Sequence, residues 1–130
     1  MSEEQINYYQ AMGGAPIFSE LVHKFYENVK NNLVLKPMYP EKDLDGAERR
    51  LRMFLEQYWG GPDTYSQERG HPRLRMRHMG FHIGELEKDE WLNCMHKALI
   101  DLEMAEELKE KLWEYLQYAA FSMMNQERIV

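Results

Sequence analysis

Four long apolar stripes recur at helical spacing along this chain, and no segment shows the strict alternation of a half-buried strand. Ile17, Leu21, Phe25 and Val29, with Phe18 and Val22 alongside, follow Pro16, a residue suited to a first helical turn, and predict a helix over residues 16 to 31. Asn31-Asn32, Pro37 and Pro40 then predict a short turn of helix and a corner between Leu33 and Leu44, with Tyr39 in the corner. Asp45 can cap the next helix, whose face carries Ala47, Leu51, Phe54, Leu55 and Tyr58 until Gly60-Gly61-Pro62 ends it. A third stripe, Trp91, Leu92, Met95, Leu99 and Leu102, opens at Asp89-Glu90. The last runs through Leu108, Leu112, Tyr115, Leu116, Ala119, Ala120 and Met123. The chain is all-α on this reading. Periodicity alone leaves a plain bundle and a globin equally open.

A chain of 130 residues buries one core and is too short for two. Its formal net charge of −6 disfavours non-specific binding to nucleic acid or to an anionic membrane. The start, Met1-Ser2-Glu3-Glu4-Gln5, lacks the cationic and apolar regions of a signal peptide, and no apolar run approaches the ~20 residues that span a bilayer, so a cytoplasmic location is expected. Cys94 is the only cysteine, which excludes an internal disulfide and any Cys-rich metal site and leaves it as a small buried group. Neither Gly-Gly pair is followed by the Lys-Ser/Thr of a phosphate-binding loop, and no Ser-His-Asp or Cys-His arrangement stands out.

The chemistry concentrates after the Gly60-Gly61-Pro62 break. Residues 60 to 72 read as one long connection, with Tyr65 and His71 embedded in it. Gly70-His71-Pro72-Arg73-Leu74-Arg75-Met76-Arg77-His78 then puts an imidazole beside guanidiniums. On a short helix over residues 73 to 79, Leu74 and His78 share one face, and Arg73 and Arg77 share another. An apolar stripe with one imidazole and a cationic edge suits a flat, mostly apolar ligand with a metal at its centre and carboxylates at its rim. Gly80 places His78 at a helix end, where its ring can reach a pocket. His78 and His82 stand four apart, a zinc-pair spacing if the helix were continuous, which Gly80 opposes. His71 beside Pro72 suits a backbone anchor, and His23 and His96 read as surface or structural residues.

Other polar groups have two readings each. Trp91 on its apolar stripe is a core residue, or a buried donor that needs an acceptor. Tyr26 and Tyr39 are partly buried structural tyrosines, or hydroxyls aimed at a ligand. Arg49, Arg50 and Arg52, with Glu48 and Glu56, read mostly as a solvated helix face. Arg50 and Arg77 are the better partners for ligand carboxylates, with Tyr58 and Tyr65 able to assist.

From Tyr8 through Asn125 the chain resembles the group II truncated haemoglobins. The resemblance rests on Gly13-Gly14, Phe25-Tyr26, Met38-Tyr39-Pro40, the run from Glu48 to Pro62, the Gly70 to His78 block, and Trp91-Leu92 with Cys94-Met95-His96. It implies a globin-like, truncated two-over-two helical sandwich in one domain over residues 1 to 130, holding haem b (iron protoporphyrin IX). His78 matches the proximal iron ligand. Tyr26, Tyr39 and Trp91 match the distal residues that meet a bound ligand. Ala47 matches the position of the gating histidine of vertebrate globins, and Leu51 the next inward position. Arg50, Phe54, Tyr58, Tyr65, Leu74, Arg77 and Phe81 complete the expected haem pocket. The resemblance further implies dioxygen, CO or NO as ligands, slow release, possible NO or peroxide chemistry with an external reductase, and a monomer or homodimer. A peroxidase-like enzyme and a haem-free all-α interaction module stand as alternatives.

Overall fold

A computed structural model describes residues 7–39, 43–71, 73 and 82–124. The described residues are helical, without strands, and none of their helices is long and apolar enough to cross a membrane. Helix α1 is Tyr8–Met12, α2 Ala15–Lys30, α3 Leu44–Tyr58, α4 Thr64–Arg69, α5 Glu85–Ile100 and α6 Glu106–Ser122, with a 3-10 turn at Lys36–Met38. Helix α2 packs against both α3 and α5, and α5 packs against α6. Two helix pairs thus lie one over the other, a globin-like two-over-two sandwich.

The stripe of α2 explains its central place. Phe18, Leu21, Val22, Phe25 and Val29 are fully enclosed, and meet Leu55 from α3, Met95 and Leu99 from α5, and Leu112 and Leu116 from α6. Each such side chain contributes about 1.5–3 kcal/mol by leaving water. Gly13, at φ 122°, turns the chain between α1 and α2, and a Cβ there would strike the Ile17 side chain. Two amides then fix the corner that follows α2. Asn32 Oδ1 accepts from the backbone N–H groups of Val34 and Leu35 at 3.0 Å, and its Nδ2 donates to Glu90 at 2.7 Å. Asn28 Nδ2 donates to the Cys94 carbonyl at 2.9 Å, tying α2 to α5.

Several boundaries differ from the sequence expectation for local reasons. Asp43 occupies the position before α3, and its carboxylate pairs with Arg50 instead of capping; Asp45 lies inside the first turn, where it favours the helix dipole. The stretch 60 to 72 contains a helical turn, α4, held to α3 by a reciprocal amide pair: Gln57 Oε1 accepts from Ser66 N–H at 2.9 Å and Gln57 Nε2 donates to Ser66 Oγ at 2.7 Å. Helix α5 begins at Glu85, before Asp89, because Glu87 reaches back to accept the Gly84 N–H at 2.8 Å. Glu56 departs most from the expected solvated face. It is 5% exposed, and its carboxylate accepts from Tyr9 Oη at 2.9 Å and from Arg52 Nη1 at 2.7 Å. Its carbonyl takes the Gly61 N–H at 2.7 Å, so close that a Cβ on Gly61 would meet both that oxygen and the Tyr9 ring at 2.8 Å.

Candidate functional site

Among the described residues, the packing of α2, α3, α5 and α6 leaves a large cavity of about 690 Å³, within the size range of cofactor sites. Its walls are mainly apolar. Ala47, Leu51 and Phe54 come from α3, Leu116, Ala119 and Ala120 from α6, and Leu35, Met38 and Ile83 from the connections. Polar groups gather in two regions with different chemistry.

The first is aromatic. Tyr26 from α2, Tyr39 from the Asn32 corner and Trp91 from α5 all line the cavity. The Tyr26 and Tyr39 rings meet edge to face, with centroids 5.6 Å apart and planes at 87°. Phe25 fixes the other sides, touching Tyr26 at 5.0 Å and Trp91 at 5.2 Å between centroids. Burial pushes the Tyr39 phenol up to about 12, while the hydrogen bond from Trp91 pulls it back. Burial first, and then Tyr39, push Tyr26 higher still, against the opposing pull of Arg50. Both are therefore neutral phenols at ordinary pH and present O–H donors to the cavity, beside an indole that can only donate.

The second region is charged. Arg50, Arg69 and Lys88 line the cavity, as do Asp43 and Glu87. Arg50 Nη2 lies 2.6 Å from Asp43 Oδ2 with about a third of its side chain exposed, and Lys88 Nζ lies 2.9 Å from Asp89. Guanidinium groups at the edge of an apolar cavity suit ligand carboxylates. Apolar walls, a cationic edge and a cluster of uncharged donors fit a haem and the outer atom of a diatomic ligand. Among the described residues no group of three or more His, Cys, Asp or Glu side chains could hold a bare metal ion.

Of the residues expected from the sequence, Tyr26, Tyr39, Ala47, Arg50, Leu51, Phe54, Tyr65 and Trp91 line this cavity together. Tyr58 does not. It is 52% exposed, and its ring stacks on Tyr115 at 3.9 Å instead of facing the cavity. Leu74, Arg77, His78 and Phe81 lie outside the described residues. His82 is mostly exposed, near Glu87 at 3.6 Å. His71 is a backbone anchor as expected, its Nδ1 accepting from Arg73 N–H at 3.2 Å. His23 is an exposed partner of Glu48, and exposed His96 packs on Trp113. Cys94 is buried, its thiol pushed up by burial and then by Glu90. The sequence reading missed Arg69, Lys88, Asp43, Tyr115 and the α6 residues of the wall. A stripe facing a cavity has the same periodicity as one facing packed side chains, so the α6 residues carried no separate signal.

The fold and cavity can be set beside known proteins. The bacterial-like globin family model matches residues 7–125. The group 2 truncated hemoglobin YjbI of Bacillus subtilis is 42% identical over 118 residues, covering 91% of this chain and 88% of that protein. The thermostable hemoglobin of the actinobacterium Thermobifida fusca is 55% identical with a TM-score of 0.90, covering 92% of this chain and 98% of that one. The truncated oxygen-avid haemoglobin of Bacillus subtilis is 40% identical with a TM-score of 0.86, covering 92% of this chain and all of that one. Two helix pairs around an apolar cavity, with Tyr26, Tyr39 and Trp91 on its wall, are in accord with these matches: the chain belongs to the bacterial-like globin family, among the group II truncated haemoglobins.

Proposed function

We propose that the chain is a cytoplasmic haem b protein that binds dioxygen, and other diatomics such as CO and NO, and releases dioxygen slowly. The observation that carries this reading is the group of three uncharged donors, Tyr26, Tyr39 and Trp91, on one wall of an apolar cavity. The haem, when bound, supplies the iron that takes the diatomic ligand. His78 is the residue assigned to hold that iron from the protein side, Arg50 and Arg77 hold the carboxylates with Tyr65 assisting, and Leu51 and Phe54 pack on the ring.

The chain's own part is electrostatic. A dioxygen ligand carries partial negative charge on its outer atom, and each donor hydrogen bond to such an acceptor contributes ~1.5–3 kcal/mol. Two of them together slow release by roughly two to four orders of magnitude, since ~1.4 kcal/mol is tenfold. Release that slow suits chemistry on the ligand, NO dioxygenation or peroxide reduction, better than delivery by diffusion. Repeated turnover then needs electrons from an external reductase. Ala47 is too small to obstruct the cavity, so entry is not gated from that position.

Absorption spectra of purified protein in ferric, ferrous and CO-bound forms test the reading. Histidine-ligated globin spectra with a measurably slow dioxygen release are expected. A chain that takes up no haem, or that releases dioxygen as fast as a pocket without donors, refutes it.

A further inference from the structure

The Glu90 side chain on α5 is half-buried, and among the described residues its carboxylate makes one hydrogen bond, to an amide, and no ion pair. Its Oε2 accepts from Asn32 Nδ2 at 2.7 Å. That amide is held in one orientation, because its Oδ1 accepts from the N–H groups of Val34 and Leu35 at 3.0 Å, which leaves the donor end toward Glu90. The bonds then run on along the corner. The Asn32 carbonyl accepts the Lys36 N–H at 2.9 Å, the Leu35 carbonyl accepts the Met38 N–H at 2.9 Å, and the Lys36 carbonyl accepts the Tyr39 N–H at 3.2 Å. Tyr39 returns to α5, where its hydroxyl accepts from the indole of Trp91, the residue next to Glu90. The ring of hydrogen bonds is closed.

We propose that Glu90 is a positioning residue for the ligand pocket: through Asn32 it holds the corner against α5 in the register at which the Tyr39 hydroxyl meets both Trp91 and the bound ligand. The proposal rests on the haem reading above and extends control of dioxygen release to two residues, Glu90 and Asn32, that do not line the cavity.

The arrangement makes α5 the fixed side. Glu90 and Cys94 stand one turn apart on it, and Asn28 at the end of α2 donates to the Cys94 carbonyl at 2.9 Å. Asn32 Nδ2 also lies 3.7 Å from Cys94 Sγ, a weak acceptor. A bond to a carboxylate is stronger than one to a neutral acceptor, so Glu90 is the main tether of the corner. Without it the corner keeps its internal bonds and its shape, while its link to α5 falls to the sulfur contact and to the Tyr39 hydroxyl itself. That hydroxyl is then required to act as both tether and ligand donor. Hydrogen bonds weaken steeply as their angle and length depart from the best values, so a small shift of the corner acts on dioxygen, whose outer atom carries partial negative charge, more than on carbon monoxide.

The test uses the haem-loaded, full-length ferrous protein, with dioxygen and carbon monoxide release measured by stopped-flow displacement. Glu90→Leu removes the acceptor, and Asn32→Asp keeps the bonds to Val34 and Leu35 but turns a second carboxylate toward Glu90. Each is expected to speed dioxygen release by about three- to tenfold, the upper figure being the loss of one whole donor, with carbon monoxide changed by less than about twofold. Glu90→Gln retains an oxygen that accepts from Asn32 and should stay within about twofold of wild type for both gases. In a Tyr39→Phe background the hydroxyl being positioned is gone, and Glu90→Leu should have no further effect on dioxygen release. Wild-type dioxygen release in both Glu90→Leu and Asn32→Asp overturns the proposal, as does equal acceleration of the two gases, which is general loosening. Glu90→Gln behaving as Glu90→Leu does would mean that the bond to Asn32 is not what matters. The same acceleration by Glu90→Leu with and without the Tyr39 hydroxyl would mean that Glu90 acts through Trp91 alone, and also overturns it. If Glu90→Leu takes up no haem, Asn32→Asp carries the same comparisons. A wild type that takes up no haem or releases dioxygen fast removes the haem reading itself, whereas slow release in wild type with silent variants removes only the role of Glu90.

Discussion

Replacing Trp91 by Phe removes one donor from the cavity wall and leaves a ring of similar shape against Phe25. Trp91 acts twice under the proposed function: its indole on the cavity wall is a donor for the ligand, and it donates to the Tyr39 hydroxyl, whose phenol it pulls down against the push of burial. Loss of one hydrogen bond to a partly charged acceptor removes ~1.5–3 kcal/mol. Some of that returns, because the Tyr39 hydroxyl remains able to donate and stands beside Tyr26 at 5.6 Å between rings. The net effect therefore lies at the low end, ~1.4 kcal/mol or about a tenfold faster dioxygen release. Carbon monoxide accumulates little negative charge and should respond much less. Stopped-flow displacement on the ferrous wild type and Trp91→Phe measures both rates. Equal acceleration of the two gases would mean that Trp91 acts by bulk alone, and the donor argument would be wrong.

The remaining predictions concern the same cavity and the groups around it. Tyr26→Phe and Tyr39→Phe should be non-additive in dioxygen release, with a coupling of about 0.5–3 kcal/mol in a double-mutant cycle; effects that add within about 0.3 kcal/mol would make the hydroxyls independent. His78→Gly should lose haem or bind it only with added imidazole, and an unchanged histidine-ligated spectrum would remove that assignment. The Tyr39 phenol titrates near 10 when unfolded and at about 12 when folded, so between those values only the unfolded chain sheds this proton. Its contribution is intact below pH 10 and is lost as pH rises toward 12, by ~2–3 kcal/mol, since one unit is ~1.36 kcal/mol. Urea unfolding at alkaline pH should show a shallower fall in Tyr39→Phe; an identical fall would place the Tyr39 hydroxyl in solvent.

Much of the fold was legible because helices announce themselves by period. The α2 stripe from Phe18 to Val29 is enclosed as its spacing requires, and eight of the expected cavity residues do line one cavity. What the pattern could not show were contacts between distant segments. Glu56 and Arg52 look like an ordinary exposed pair four apart, and only Tyr9, 47 residues away, makes the carboxylate a buried one. Tyr58 falls on the α3 stripe, yet the helix turns it past the cavity to Tyr115. Helix α4 was hidden because its six residues include one buried apolar side chain, Tyr65; side-chain amide bonds to Gln57 secure it in place of a stripe. The start of α5 was hidden for a related reason, its first turn being acidic and capped by Glu87.

The Tyr9, Arg52 and Glu56 cluster limits how this sequence can vary. A short helix of five residues has little stability of its own, and α1 is held by the Tyr9 hydroxyl on Glu56, the Tyr9 N–H on the Trp59 carbonyl at 2.9 Å, and the Tyr9 ring on Phe18. Changing Tyr9 or Arg52 alone takes a partner from the Glu56 carboxylate, which is buried, whereas replacing all three by apolar residues of similar volume leaves no buried charge. These positions, separated by most of two helices in the chain, are therefore free to drift only as a set. Gly61 belongs with them, since any side chain there would occupy the space of the Tyr9 ring.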